Sequence, residues 1–383
     1  MSKQMDTDII TEAKPHTIKK FELIERYVDE WARKILGYNG KDGRNGSKGV
    51  IYIDCMCNSG VYVDDNGETV YGTPIRVAKI LRDAAWQYPN KSIQLYFNDY
   101  SEPKIELLKK TLDEQVPGAR GNFVMNITAR DGNELLKQIE PQLTNDQKFH
   151  YFLFYDPFQA DIDWEALAPF FRFWGEVMIN HMLSDPIRAI GQVKRKEKKE
   201  KYSGTYLMDD FEKLIPYGSD KTAYEKRVAE IINGLKGARQ NYYVAAYPFF
   251  NRNNSLIYDL IHCTSNIEGF KLYKKTAWKT FGGKSSTKNT HGNENQMTLD
   301  MFSDCGEFTT GTDENCYYVQ DITKYVEKHF RGQKDVPLEA VWSLLDEHPI
   351  FPSEGYRPQI KKELRETYGA DVGKSSITFS DRR

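Results

Sequence analysis

Apolar residues near the amino terminus recur every three to four positions, which is the spacing of one face of an α-helix. Within residues 17–36 they are Phe21, Ile24, Val28, Trp31, Ile35 and Leu36. The spacing predicts a long amphipathic helix. The next segment, 37–48, is rich in Gly, Asn and Lys and predicts a turn-rich loop.

From residue 50 the pattern changes to short apolar runs that alternate with helical repeats. The runs predict strands at 50–54, 93–99, 122–127, 150–158 and 176–182. The repeats between them predict helices at 74–86, 103–116, 134–143 and 164–174. Such alternation produces a parallel sheet with helices on both faces, joined by right-handed crossovers. The predicted fold class is therefore α/β, with a mostly parallel, Rossmann-like sheet.

After residue 183 the alternation of strand-like and helical segments becomes less regular. A helix is predicted at 220–237, and two strand-like runs at 242–249 and 255–265 would add an antiparallel edge to the sheet. The tail predicts three helices and a short strand, an extension consistent with a small winged-helix-like unit; its helices are 319–331, 337–347 and 357–368. The predicted organisation is a helical segment at 1–48, a sheet domain at 49–282 with a basic insertion at about 188–240, a loop at 283–318 and a small C-terminal domain at 319–383.

Composition narrows the class of protein. The chain has 383 residues, of which 13% are aromatic, so it can build a sizeable core. Lys and Arg number 53 against 55 Asp and Glu, which excludes a uniformly basic nucleic-acid binder but not a local basic face. We find no apolar run of membrane-spanning length and no secretion signal, and five Cys do not suggest a disulfide scaffold. We therefore expect a cytoplasmic protein without membrane contact.

Ligands of an open parallel sheet bind at the carboxyl ends of its strands. The first strand ends in Asp54, and the turn after it contains Asn58 and Gly60, which can both adopt positive φ. Such a turn either cradles a nucleotide or simply connects a strand to a helix. Its spacing is not GxGxxG, so it does not indicate a dinucleotide site.

The second and third strands are also followed by acids. Asp99 is placed either to accept hydrogen bonds from ribose hydroxyls or to cap the helix near residue 103. Asp131 is placed either to accept an adenine amino group or to cap the helix near Asn133. For both residues, the sequence therefore leaves a binding role and a structural role as alternatives.

The fourth strand ends in Asp156, Pro157 and Phe158. The carboxylate and the Pro157 carbonyl can accept two N–H bonds from a planar amine, and Phe158 can stack on it; the alternative is a plain turn with a core Phe. Acids at four strand ends in this order are typical of an S-adenosylmethionine-dependent methyltransferase. We therefore predict S-adenosylmethionine as the cofactor. We predict no metal, because we find no set of metal ligands with suitable spacing.

The sequence also resembles the three-Cys-motif partner protein family. KPHTIKKFELIERYVDEW (14–31) resembles the family's opening His-Thr-x-x-Lys helix, and VIYIDCMCNSGVY (50–62) its Asp-Gly-Phe-Ala-Gly-x-Gly-x-Tyr turn. Three further stretches match its later segments: GTPIRVA (72–78), YDPFQADIDWEAL (155–167) and VMINHMLSDPIR (177–188). The resemblance implies a class I methyltransferase-like fold and a neighbour-encoded partner with a three-Cys motif that resembles radical-S-adenosylmethionine proteins.

Carried over by position, the resemblance assigns one set of residues to the cofactor: Asp54, Asn58, Gly60, Asp99 and Asp131. It assigns Asp156, Pro157 and Phe158 to the target amine, and His16 and Lys19 to the neighbourhood of the active site. Two positions depart from the family pattern, Asn58 in place of the first Gly of the turn and Gln159 in place of a Gly. Gln159 also stands where enzymes of the Asp-Pro-Pro-Tyr type have their stacking aromatic, which favours a catalytically degenerate protein.

Two lysine-rich segments are candidates for contact with nucleic acid. Residues 194–201, KRKEKKEK, form either a binding patch or a solvated helix or loop. Residues 271–288 contain six Lys, no acid and interleaved aromatics, which suits phosphate contact with base stacking. The proposed contacts are Lys271, Lys274, Lys275, Trp278 and Lys279. The alternative is an amphipathic helix whose apolar face packs on the sheet.

Three functions are compatible with these patterns. The first is a methyltransferase that acts on an amino nitrogen of a nucleic-acid base, DNA or RNA. The second is a catalytically degenerate version that binds nucleic acid or scaffolds its neighbour-encoded partner, with a role in antiviral defence. The third, another nucleotide-using enzyme, ranks last because we find neither GxGxxG nor a Walker A motif.

Overall fold

The computed structural model describes residues 9–40, 46–118, 120–143, 148–157, 162–172, 174–182, 242–289 and 316–381. The predicted helix at 220–237, the 194–201 lysine run, most of the 283–318 loop, Phe158 and Gln159 lie outside the described residues. No helix among the described residues is long and apolar enough to cross a membrane.

The centre of the protein is a seven-stranded sheet. Its strands are β2 (Gly49–Asp54), β5 (Ser92–Asp99), β6 (Phe123–Ala129), β7 (Phe149–Tyr155), β8 (Gly175–Met182), β9 (Tyr243–Phe250) and β10 (Leu256–Thr264), in the order β6-β5-β2-β7-β8-β10-β9. The first five are parallel, and β10 runs antiparallel to both β8 and β9. Every residue of β2 is buried, as expected for a strand covered on both faces. The predicted α/β fold with an antiparallel edge is confirmed.

Helices connect and cover the strands. They are α1 (Pro15–Leu36), α2 (Thr73–Gln87), α3 (Glu102–Gln115), α4 (Gly132–Leu143), α5 (Trp164–Leu167) and α6 (Ile267–Thr280). The apolar face of α1 is buried against α2, α6 and the sheet. The prediction of a helix through residue 174 is wrong, because α5 gives way to a 3-10 turn over Ala168–Phe170. Pro169 explains this, since it has no N–H to donate within the helix.

A small second sheet lies beside the turn that follows β2. It contains β1 (Thr11–Glu12), β3 (Val61–Val63) and β4 (Thr69–Tyr71), in the order β1-β3-β4. The N-terminal strand pairs in parallel with β3, and the Thr11 hydroxyl accepts a hydrogen bond from the Asn58 amide at 3.4 Å. The N-terminal segment therefore buttresses this turn.

The C-terminal unit, residues 319–381, contains three helices and a three-stranded sheet. Its elements are α7 (Val319–Phe330), β11 (Val336–Pro337), α8 (Leu338–Glu347), α9 (Arg357–Glu366), β12 (Asp371–Val372) and β13 (Ser376–Thr378). The sheet order is β11-β13-β12, with both pairs antiparallel. This order of elements is that of a winged helix, which agrees with the predicted extension. The helices were predicted within a few residues, whereas β11 and β12, two residues each, were missed.

Candidate active site

The carboxyl end of β2 places Asp54 in the interior of the protein. Its side chain is 1% exposed, and among the described residues its Oδ1 has no hydrogen-bond partner. Burial and the nearby negative charge of Asp156 raise the pKa of Asp54 well above its usual value. A buried carboxylate oxygen without a partner is unfavourable unless a ligand supplies a donor. Asp54 is therefore suited to binding a cationic N–H group.

The turn after Asp54 has the predicted left-handed residues. Asn58 has φ 58° and Gly60 has φ 68°, so Asn is compatible with its position in the turn. The Asn58 side chain accepts a hydrogen bond from the Ser59 backbone N–H at 2.7 Å. At Gly60, a Cβ atom would come within 3.0–3.1 Å of three side chains: those of Leu108, Ile75 and Pro74. This position therefore requires Gly both for its conformation and for space.

Asp99 holds the same turn from the next strand. One carboxylate oxygen accepts the Asn58 backbone N–H at 2.9 Å, and the other accepts the Ser101 N–H at 2.9 Å, just before α3. Asp99 does not cap α3 as the alternative predicted, because the N-cap residue is Ser101 and no side chain caps this helix. It instead closes the turn before α3 and contacts the turn after β2, which the sequence did not indicate. Each carboxylate oxygen can accept a further hydrogen bond, so Asp99 retains capacity to bind hydroxyls.

The residue before Asp99 also holds the strand ends together. The buried Asn98 side chain donates to the carbonyls of Cys55 and Arg130 at 3.0 and 2.9 Å and accepts from the Thr128 hydroxyl at 2.8 Å. It therefore fixes the ends of β2, β5 and β6 relative to one another. Sequence reasoning missed this role; an Asn at the end of an apolar strand was the available signal.

Asp131 lies at the start of α4. Its Oδ1 accepts the backbone N–H groups of Asn133 and Glu134 at 2.9 and 3.0 Å. The capping alternative is therefore present in the structure. Asp131 is exposed, and its position beside the end of β6 keeps the adenine contact as a prediction.

Asp156 holds an amine in this structure, and the amine belongs to the protein itself. The Lys20 ammonium donates to Asp156 Oδ2 at 2.7 Å, and the Asn180 amide donates to Oδ1 at 2.5 Å. Lys20 is 6% exposed, and its Nζ lies 5.3 Å from the ring centre of Tyr258 and 5.8 Å from that of Phe154. A carboxylate with aromatic faces around it is a favourable environment for a cationic or partly cationic nitrogen.

Of the two N-terminal residues predicted near this site, His16 lies beside it, and Lys19 pairs with a neighbour on its own helix. His16 lies beside Tyr258, whose hydroxyl donates to the His16 carbonyl at 3.1 Å. Burial and the charge of Lys20 lower the pKa of His16. Lys19 instead forms a surface ion pair with Glu22 at 2.8 Å, so its predicted place near the active site stays a prediction. In a His-Thr-x-x-Lys pattern starting at His16, the Lys is Lys20, which does enter the site.

The prediction that Lys274 and Trp278 contact nucleic acid is also wrong. Both lie in α6 and are fully buried. The Trp278 indole donates to the Ile350 carbonyl at 3.0 Å. The Lys274 ammonium donates to three backbone carbonyls at 2.7–2.8 Å, those of Leu345, Asp346 and His348. The two side chains fasten the C-terminal unit to the sheet domain, so the amphipathic-helix alternative describes this segment.

The remaining lysines of α6 differ in exposure. Lys275 pairs with Glu30 of α1 at 2.8 Å, and Lys279 is exposed. Lys271 lies within 4 Å of three carboxylates, those of Glu268, Asp346 and Glu354. Lys271 and Lys275 are therefore paired with carboxylates of the protein itself, which leaves Lys279 as the α6 lysine available for the predicted contact.

The left-handed turn allows a direct test of the Asn58 substitution. We expect Asn58→Ala to lower the free energy of unfolding by about 1 kcal/mol, because Ala lacks the side-chain acceptor and disfavours positive φ. Asn58→Gly also lacks the acceptor but adopts positive φ freely, so it should lose less stability than Asn58→Ala. Urea denaturation of the three proteins measures both effects; equal stability of the Ala and Asn proteins would contradict the assigned turn geometry.

Comparisons with known proteins give resemblances of fold. No family model matches the chain, and no curated protein matches it. Among solved structures, the complex of Trm1 from Pyrococcus horikoshii with S-adenosyl-L-methionine is 15% identical over 72% of this chain, with a TM-score of 0.39; the match spans 60% of that protein's length. A putative O-methyltransferase from Klebsiella pneumoniae is 11% identical over 66% of this chain and 90% of its own, with a TM-score of 0.31. The DszA carbon methyltransferase is 12% identical over 58% of this chain and 48% of its own, with a TM-score of 0.29. At identities of 15% or below and TM-scores of 0.39 or below, these likenesses do not establish a function.

Proposed function

We propose that the protein is an S-adenosylmethionine-dependent methyltransferase that acts on an amino nitrogen of a nucleic-acid base. The observation that carries the proposal is a pair of carboxylates at adjacent strand ends. Asp54 has a buried oxygen without a partner among the described residues, and Asp156 already binds an ammonium group. One carboxylate suits the α-ammonium of the cofactor, and the other suits the amine to be methylated.

The residues at the strand ends fit the cofactor. Asp54 would accept the α-ammonium, Asp99 has acceptor capacity for the ribose hydroxyls, and Asp131 stands at the third strand end for the adenine. The turn from Asn58 to Gly60 would let the backbone approach the cofactor closely. When bound, S-adenosylmethionine supplies an electrophilic methyl group, so the site needs neither a metal nor a covalent nucleophile.

Asp156 would orient and stabilise the target nitrogen. Its carboxylate and the Pro157 carbonyl would accept the two N–H groups, which directs the nitrogen lone pair away from them. As the nitrogen becomes positive in the transition state, the fixed negative charge of Asp156 stabilises it. Holding the two reacting groups in place can contribute about 7–11 kcal/mol to the lowering of the barrier.

The target amine would take the place that the Lys20 ammonium holds beside Asp156 Oδ2. We propose that Lys20 is a positioning residue: its ammonium holds the Asp156 side chain in its orientation in the free protein and is displaced by the target amine. A target base within a duplex would also have to rotate out of the stack to enter this buried site.

The contact between Lys20 and Asp156 also favours a second function. Since the Lys20 ammonium stands where the target amine would bind Asp156, a protein in which Lys20 stays bound would hold the cofactor without turnover. That protein would act as a degenerate methyltransferase fold that binds nucleic acid or its neighbour-encoded partner.

Methyl transfer distinguishes the two functions. The protein is incubated with tritium-labelled S-adenosylmethionine and either DNA or RNA, and the nucleic acid is then digested to nucleosides. We expect label in a nucleoside methylated at an exocyclic amine. Methylation at oxygen or carbon would contradict the proposed chemistry, and cofactor binding without any transfer would favour the degenerate form.

A further inference from the structure

Lys20 is a buried lysine whose side chain ends at a carboxylate of the candidate site. Its ammonium donates to Asp156 Oδ2 at 2.7 Å, and the residue is only 6% exposed. The preceding lysine, Lys19, has a side chain that is 45% exposed and pairs with Glu22. Of these two neighbours on α1, Lys20 alone therefore places a primary amine where the proposed function places the amine that is methylated.

Lys20 also lies close to the strand end that would hold the cofactor. Strands β2 and β7 are paired in parallel, and Asp156 comes two residues after Phe154, the residue opposite Asp54. The pKa of Asp54 is raised by burial and by the charge of Asp156, and it is lowered by the charge of Lys20. The three charged groups are therefore near enough to act on one another. A cofactor held by Asp54 would be bound next to the Lys20 ammonium.

The aromatic rings around Lys20 suit a methylated amine. The Nζ atom lies 5.3 Å from the ring centre of Tyr258 and 5.8 Å from that of Phe154. The Tyr258 ring stacks on Phe249 with centres 4.8 Å apart, and its hydroxyl donates to the His16 carbonyl at 3.1 Å, so the ring is held in place. Aromatic faces bind methylated ammonium groups as well as free ones. The same surroundings would therefore hold Lys20 before and after methylation.

The burial of Lys20 decides which enzyme could modify it. A second enzyme must draw a lysine into its own active site, and in the folded protein a side chain held between Asp156 and Tyr258 does not extend into solvent. A methyl group on Lys20 would therefore have to come from cofactor bound in the same chain.

We propose that Lys20 is a self-methylation site, whose Nζ takes the methyl group of S-adenosylmethionine bound in the same chain when no target base is present; this rests on the proposed function. Nζ first loses one proton, which Asp156 Oδ2 accepts and passes to solvent. The Nζ lone pair then forms the N–C bond while the methyl C–S bond breaks, and the electron pair of the broken bond stays on sulfur in S-adenosylhomocysteine. The product is Nζ-methyllysine, which keeps the positive charge of the side chain.

The test maps methyl groups on the full-length protein by mass spectrometry. The protein is incubated without nucleic acid in S-adenosylmethionine that carries a deuterated methyl group. Cleavage after Glu gives the peptide 13–22, AKPHTIKKFE, which contains both Lys19 and Lys20. We expect more than about tenfold more deuterated methyl on Lys20 than on Lys19, because only Lys20 is held beside Asp156. The rate constant should not change on about tenfold dilution of the protein, since transfer within one chain is independent of concentration.

Variants and an untreated sample complete the experiment. Lys19→Arg, the matched control, should be labelled as the wild type is, whereas Lys20→Arg should lose the label from this peptide. The same peptide from protein that was never incubated shows the unlabelled methyl groups gained in the producing cells, and this measurement needs no activity assay. Asp54→Asn from the same cells should carry fewer of them on Lys20. Equal amounts in both proteins would contradict the proposal, because another enzyme would then be their source.

Absence of both kinds of methyl group from Lys20, in a protein that binds S-adenosylmethionine in calorimetry, would overturn the proposal. A rate constant that falls in proportion to the dilution would overturn it too, because the transfer would then occur between chains. Methyl transfer to nucleic acid without any methyl group on Lys20 contradicts this proposal and leaves the proposed function standing. A methylated Lys20 in a protein that transfers no methyl group to nucleic acid gives the opposite result.

Discussion

Replacing Asp156 by Asn is expected to abolish methyl transfer and to destabilise the protein. The variant keeps the shape of the side chain but removes the charge that would stabilise the target nitrogen, so kcat should fall by at least about 100-fold. It also leaves the Lys20 ammonium, whose side chain is 8% exposed, without its anionic partner. The free energy of unfolding should therefore fall by about 3 kcal/mol. Methyl-transfer kinetics and urea denaturation measure the two effects separately.

Two further variants separate the catalytic effect from the structural one. Lys20→Met combined with Asp156→Asn should recover most of the lost stability, because no buried charge is left unpaired, but it should not recover methyl transfer. Glu22→Gln breaks the exposed Lys19–Glu22 pair next to it and should change stability by less than about 1 kcal/mol. An Asp156→Asn protein with more than half of the wild-type rate would remove Asp156 from the mechanism.

Replacing Asp54 by Asn is expected to weaken S-adenosylmethionine binding at least about thirtyfold, because the cofactor ammonium loses its charged partner. The same change should leave the free protein as stable as the wild type or more so, since Asn carries no buried charge. Calorimetry gives the affinity, and thermal unfolding without cofactor gives the stability. Asp83→Asn, on the exposed face of α2, is the matched control and should alter neither.

The raised pKa of Asp54 also predicts a dependence on pH. Between the ordinary value of 3.8 and its raised pKa, Asp54 is protonated in the folded protein and ionised in the unfolded chain. Its contribution to the free energy of unfolding is therefore present at low pH and is lost as the pH rises through the raised pKa. A cationic cofactor favours the carboxylate, so binding should release protons over this range. Calorimetry in two buffers with different ionisation enthalpies measures the number of protons released. If the Asp54→Asn protein releases the same number of protons on binding, Asp54 is not their source.

The main sheet was predictable because each of its elements is determined by its own residues. Apolar β-branched runs marked β2, β5 and β8, and helical spacing marked the crossovers. The end of α5 was not predicted, although Pro169 was visible, because the apolar repeat continued past it. β11 and β12 escaped prediction because two-residue strands form through tertiary pairing with β13 rather than through a pattern of their own.

The acidic residues at the strand ends could be predicted from the sequence, but the residues that contact them could not. Lys20 lies on the same helical face as Ile24 and Trp31, and a cation on an apolar face must have a buried partner; that signal would have selected it over Lys19. Asn180 was similarly marked as a polar residue inside the apolar strand β8. The sequence could not reveal that both meet Asp156, since α1 and β8 are far apart in the chain and come together only through packing.

Calorimetric titration of the wild-type protein with S-adenosylmethionine tests the central claim most directly. We expect one saturable site per chain with a dissociation constant below about 1 mM, competition by S-adenosylhomocysteine and loss of the signal in Asp54→Asn. Absence of binding at millimolar cofactor, or binding that is unaffected by Asp54→Asn, would contradict the placement of the cofactor at the carboxyl end of β2.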